Sequence, residues 1–108
     1  MQDNLLIFQP SGVLDGSTMN DLRNNIRNAM STGQETILID MQDVNFMNSA
    51  GIGALVATLK DVKQKGGKLF LCDLTAQVQV IFQLTKMERV FKPFKDRDDF
   101  EEKVLQQS

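Results

Sequence analysis

The chain has no histidine and only one cysteine, Cys72. Without an imidazole, Ser-His and Cys-His nucleophilic catalysis are excluded, and so are most zinc sites, because histidine is the commonest general base and metal ligand near neutral pH. A lone cysteine cannot close an internal disulfide. In "KLFLCDL" it sits inside an apolar, strand-like run, which suits a small core residue better than a reactive thiol. Lysine and arginine form no block and do not interleave with aromatic residues, and the net charge is only −2, so the footprint of a DNA- or RNA-binding surface is missing. No apolar run is long enough to cross a bilayer. The N-terminal "MQDNLLIFQPSG" has neither the basic start nor the apolar core of a signal peptide. The expectation is a cytoplasmic protein, not an enzyme, with no membrane or nucleic-acid partner, no cofactor and no metal site.

Hydrophobic residues make up 42% of the chain and charged residues 24%, a globular balance that excludes disorder and fibrous repeats. With 108 residues against a prior of about 150 per domain, one domain spanning 1–108 is expected. Leu5 to Phe8 and Gly12 to Leu14 read as strands separated by the turn residues Pro10 and Ser11, a hairpin-like start. In "STMNDLRNNIRNAMSTG", Met19, Leu22, Ile26 and Ala29 share one helical arc, with Thr18 and Asp21 as a capping box and Gly33 as a stop. "TILIDM" reads as a buried central strand ending near Asp40, and "VNFM" carries the chain onward.

A second helix is expected from Ser49 to about Lys65, with Ile52, Leu55, Val56, Leu59 and Val62 on its core face and Gly66-Gly67 at its end. "KLFLCDL" is the next strand. Thr75 to Met87 is helical, "RVFKPF" is a short strand closed by Pro93, and a last helix begins near Asp98. Strands alternating with helices imply an α/β domain whose central strands run parallel through crossover helices, and the opening hairpin makes the central β-sheet mixed. On the third helix Val80, Leu84 and Met87 lie opposite Val78, Ile81 and Phe82, and are expected to pack under the C-terminal helix.

The segment "MNSAGIGA" places a serine and two glycines at a strand-to-helix junction. No lysine follows Gly53, and neither G-x-G-x-x-G nor G-x-S-x-G spacing is met, so a nucleotide-cradling loop is a poor match. Asn48 or Ser49 serves as an N-cap, but that leaves Gly51 and Gly53 unexplained, each costing about 1 kcal/mol against alanine in a helix. Ala50, Gly53, Ala54 and Ala57 gather opposite the core face together with Asp61. Two readings stay open for them: good helix formers with no further meaning, or a bare face that admits a partner's backbone beside Ser49. A phosphate on a serine at a helix N-terminus would be tolerated by the fold and hard to bury against a partner.

Taken together, "LIDMQDVNFMNSAGIGALVATLKDVKQKGGKLFLCDL", the earlier "GVLDGST" and the later "VQVIFQLTKMERVF" resemble the STAS domain of anti-sigma factor antagonists over nearly the whole chain. The resemblance implies a STAS-like α/β domain, monomeric when free, that binds an anti-sigma factor which is also a serine kinase and thereby releases a sigma factor. It implies that phosphorylation of Ser49 ends this binding, that a metal-dependent serine phosphatase restores it, and that Asp15 contacts the kinase. The expected partner surface is Asp15, Asn48, Ser49, Ala50, Gly51, Gly53, Ala54 and Ala57. Asn48 stands where the family usually has Asp, and Ala50 where it usually has Ser or Thr, so Ser49 is the one hydroxyl of the motif. Two other functions are compatible with these residues: an unphosphorylated STAS scaffold or transport-associated subunit, and a small enzyme or nucleotide-binding domain using Asp15, Asp40 or Asp43 as acid or metal ligand.

Overall fold

The run "TILID" forms β3 (Thr36–Asp40), buried at every position after its first, in a computed structural model that describes residues 5–30 and 35–106. Its β-branched and apolar side chains suit a strand covered on both faces. β1 (Leu5–Phe8) and β5 (Lys68–Cys72) flank it, both in parallel register. A second parallel ladder joins β2 (Ser11–Leu14) to β4 (Asp43–Met47). Parallel neighbours need long crossovers, and the chain supplies α1 (Gly16–Ala29) on its way from β1 to β3 and α2 (Ser49–Gln64) on its way from β3 to β5.

The expected hairpin is absent, because β1 and β2 do not pair with each other. Every ladder among the described residues is parallel, so the mixed central sheet is corrected to two small parallel sheets. Pro10 has no N–H to give a ladder, and Gln9-Pro10 bends the strand instead of reversing it into a pair. The partner strands break at the matching place, between Asp40 and Asp43. The Gln9 amide bonds the Asp43 carboxylate at 3.1 Å across the bend.

Helix α1 buries Met19, Leu22 and Ile26 as its spacing predicts. Ala29 is exposed, and Met30 fills the next core position. The capping box forms one turn earlier than expected. Asp15 Oδ1 accepts from the Thr18 N–H at 2.9 Å, and Thr18 Oγ1 accepts from the Asp15 N–H at 2.9 Å, so Thr18 is the third helical residue and not the cap. Gly33 lies outside the described residues. In α2, Ile52, Leu55 and Val62 are buried while Val56 and Leu59 are half-buried against the same core.

"RVFKPF" is not a strand. Lys86, at φ +65°, ends α3 (Ala76–Thr85) and starts the one-turn α4 (Met87–Phe91). Helical spacing puts Met87 and Phe91 on one side, with the Phe91 ring 6.0 Å from Phe82, and this contact overrides the strand preference of Val90 and Phe91. Phe94 alone reaches the sheet, in an isolated bridge to Cys72. α5 (Arg97–Phe100), capped by Asp96 and continued by a wider π turn over Glu101–Leu105, folds Phe100 against Phe70 and Phe94. The C-terminal segment thus covers Leu38 and Cys72 and not α3. Val80 and Leu84 consequently stay 52% and 78% exposed, against expectation, while Met87 packs on the main core. Cys72 is fully buried, as its apolar run suggests, and burial pushes its thiol far up.

Gly51 and Gly53 separate cleanly by environment. A Cβ on Gly51 would collide with the carbonyl of Leu14, whereas a Cβ on Gly53 would meet nothing within 4 Å. Gly53→Ala is therefore expected to raise stability by about 1 kcal/mol through helix propensity. Gly51→Ala is expected to lower it by about 2 kcal/mol or more through overpacking against backbone. Urea unfolding of both variants checks the opposite signs.

Candidate functional site

Strands β2 and β4 end in register, Leu14 beside Met47, so the next residue of each is a helix cap standing beside the other. Asp15 caps α1. Asn48 caps α2, its Oδ1 accepting from the Gly51 N–H at 2.8 Å. Of the two residues the sequence offers as cap, the structure selects Asn48, and this leaves Ser49 as the first helical residue. Ser49 is exposed, and among the described residues its side chain makes no hydrogen bond.

The two turns touch through small residues. Gly51 lies under the Leu14 carbonyl with its α-carbon facing Asp15, and a Cβ on Gly16 would sit 3.3 Å from that of Ala50. Asp15 and Ser49, 34 positions apart, thus share one surface built where two helix N-termini converge. Hydrogen bonds from the Thr18 backbone and hydroxyl hold the Asp15 carboxylate below its ordinary pKa, so it is charged at neutral pH. Both of those bonds go to Oδ1.

Of the expected partner residues, Asn48, Ser49, Ala50 and Gly53 are exposed, and Asp15, Ala54 and Ala57 are partly accessible. Gly51 is buried by the close approach to Leu14. Ala54 and Ala57 are half-buried because α1 packs along this side of α2. Arg23 of α1 ties the helices together by a forked pair to Asp61, Nε to Oδ2 at 2.6 Å and Nη2 to Oδ1 at 3.2 Å. The small residues thus admit α1, a helix of the same chain, and the face left open on α2 runs through Ser49, Gly53 and Lys60. Val13 and Phe46, exposed at the edge of this surface, were not legible in the strand pattern.

Asp15, Asp40 and Asp43 are each engaged in a structural contact. Asp40 is buried at the end of β3 and pairs with Arg97 Nε at 2.7 Å, Asp43 accepts from Gln9, and Asp15 caps α1. Asp40, Cys72 and Asp73 do offer ligand atoms within 4.8 Å of one another. The Arg97 cation already occupies Asp40, and the thiol is held protonated, so this cluster is poorly suited to a metal.

A profile of the STAS domain matches residues 1–100. The chain belongs to the STAS domain family. The "Anti-sigma F factor antagonist" of Paenibacillus polymyxa is 33% identical over 89 residues, covering 82% of this chain and 74% of that protein. This relationship sets the present STAS domain among the anti-sigma factor antagonists. A crystal structure from Thermotoga maritima superimposes with a TM-score of 0.83 at 21% identity, over 98% of this chain and 92% of that one. The anti-sigma factor antagonist SpoIIAA in its unphosphorylated form gives 0.73 at 19% identity, covering 94% and 89%. Its phosphorylated form gives 0.66 at 18% identity, covering 94% and 92%. These structures share the fold of the STAS domain described here. Among the described residues, no helix is long and apolar enough to cross a membrane.

The Arg23–Asp61 pair that shapes the site has a defined acid limit. The pair lowers the Asp61 pKa in the folded state, so its stabilisation is complete above the ordinary aspartate value of about 3.9 and is lost as pH falls through the lowered one. Asp61→Asn is expected to be less stable than wild type at neutral pH and equal to it in strong acid. Thermal melts across the acid range check the convergence.

Proposed function

We propose that this STAS domain is a partner-switching anti-sigma factor antagonist. It binds an anti-sigma factor that is also a serine kinase through the Asp15–Ser49 surface, and so frees a sigma factor. The observation that carries this reading is the position of Ser49: exposed, first in its helix, relieved of capping by Asn48, and beside a charged Asp15. SpoIIAA, which shares the fold, is known in unphosphorylated and phosphorylated forms.

The chemistry of the switch follows from that position. A phosphoserine carries about −1.5 to −2 charges at neutral pH, and at the first turn of a helix it meets unsatisfied N–H groups and the positive end of the dipole. The domain therefore accepts the modification without unfolding. A partner packed on the same spot would have to desolvate the phosphate and the Asp15 carboxylate together, which is costly unless each finds a cation. A thousandfold loss of affinity corresponds to about 4 kcal/mol, more than an exposed ion pair provides, so desolvation and collision supply the difference. Asn48 keeps the capping bond that an aspartate would make, but adds no charge next to the phosphate. A metal-dependent serine phosphatase resets the surface.

The test uses the anti-sigma factor kinases of the chain's own genome, purified singly. With ATP and the cognate kinase, the wild-type chain is expected to gain one phosphate by intact mass, and Ser49→Ala none. Ser49→Ala is expected to keep its affinity for that kinase and Ser49→Asp to lose most of it. Equal modification of Ser49→Ala, or equal binding by the three proteins, overturns the proposal.

A further inference from the structure

Val13 and Phe46 stand opposite each other across the β2–β4 ladder and remain 47% and 48% exposed. A bulge puts them there. The register shifts between Gly12 and Val13, leaving Asn45 without a partner, and Gly12 takes φ +79°, which suits glycine. Strict alternation along β4 would send Phe46 inward with Val44. The extra residue instead turns Phe46 outward and Met47 inward. Val13 lies two residues before the Asp15 cap, and Phe46 two residues before the Asn48 cap. The other exposed large apolar side chains of the described residues, Ile7, Val80, Leu84 and Val90, lie on other elements.

We infer that the Val13–Phe46 pair is the apolar anchor of the Ser49 surface, received by an apolar pocket of the kinase whose rim sets a cation against Asp15. This rests on the function proposed above and adds the residues that give the binding its strength. Aromatic side chains seated in a dry pocket dominate the energy of many interfaces, while the contacts around them chiefly exclude water. The charge beside the pair selects the occupant. A second copy docked about Phe46 would bring two Asp15 carboxylates together, both charged at neutral pH, and an anionic lipid surface would meet the same repulsion. A protein with a basic rim around an apolar pocket complements both features. The anchor also sharpens the switch, because a phosphate on Ser49 then has to enter a dewatered contact and not a solvated one.

Binding to the cognate kinase is measured by titration calorimetry for wild type, Phe46→Ala, Val13→Ala, Ser49→Asp and Val80→Ala, with a thermal melt of each. Phe46→Ala is expected to lower affinity by about tenfold or more and Val13→Ala by less, with each variant melting cooperatively above the assay temperature although the loss of the half-buried side chain lowers the midpoint. Val80→Ala, equally exposed on α3, is expected to bind as wild type. If Phe46→Ala and Val13→Ala bind within about twofold of wild type while Ser49→Asp does not bind, the anchor is overturned and the switch stands. If Ser49→Asp also binds normally, the proposed function falls as well. A wild-type dimer in sedimentation that Phe46→Ala dissolves would assign the pair to a second copy and overturn the inference.

Discussion

The contact between Gly51 and the Leu14 carbonyl is the constraint on which the surface depends. It lets the first turn of α2 sit on the end of β2, and no residue with a side chain fits there. The in-register ends of β2 and β4 bring the two helix caps to the same place, and the glycine lets them close together. Asn48 fixes the helix start by bonding the Gly51 N–H, so the residue that permits the approach is also held by the cap. The geometry of the proposed site follows: Ser49 is turned outward, Asp15 is brought to the same corner, and Ala50 meets Gly16.

The rest of the fold makes that corner rigid. α1 lies along the alanine side of α2 and is fastened by Arg23 to Asp61, while α2 buries its own Leu55 and Val62 in the core. The C-terminal segment braces the far sheet through Phe100 and through Arg97, whose guanidinium neutralises the buried Asp40. On the proposed function, a signal that arrives as charge on Ser49 meets a preformed surface and changes what can dock more than it changes the shape of the domain.

Much of this was legible in the sequence. The helices α1 and α2 and the buried β3 follow from periodicity and turn residues, and the proposal of Ser49 with Asp15 as the functional pair follows from the family pattern. What escaped has local physical causes. Pro10 looks like a hairpin turn, yet it only bends a strand whose partners are set by distant residues. "RVF" carries strand-forming side chains, but the Phe82 ring draws Phe91 into a helical turn. The alanines of α2 leave two readings open in the sequence, because a wheel shows which side is small and not which helix covers it. The exposure of Phe46 depends on one bulge. The only sequence trace of it is Gly12, together with the break in alternation between Val44 and Met47.

The central claim is that Ser49 phosphorylation adds charge to a rigid surface and leaves the fold alone. Amide chemical shifts of the free and Ser49-phosphorylated domain test it directly. The account predicts perturbations confined to the turns around Asp15 and Asn48 and the first turn of α2, with β3, β5 and α3 unchanged. Shifts spreading through the central sheet or the α1–α2 contact would contradict it and make the switch conformational.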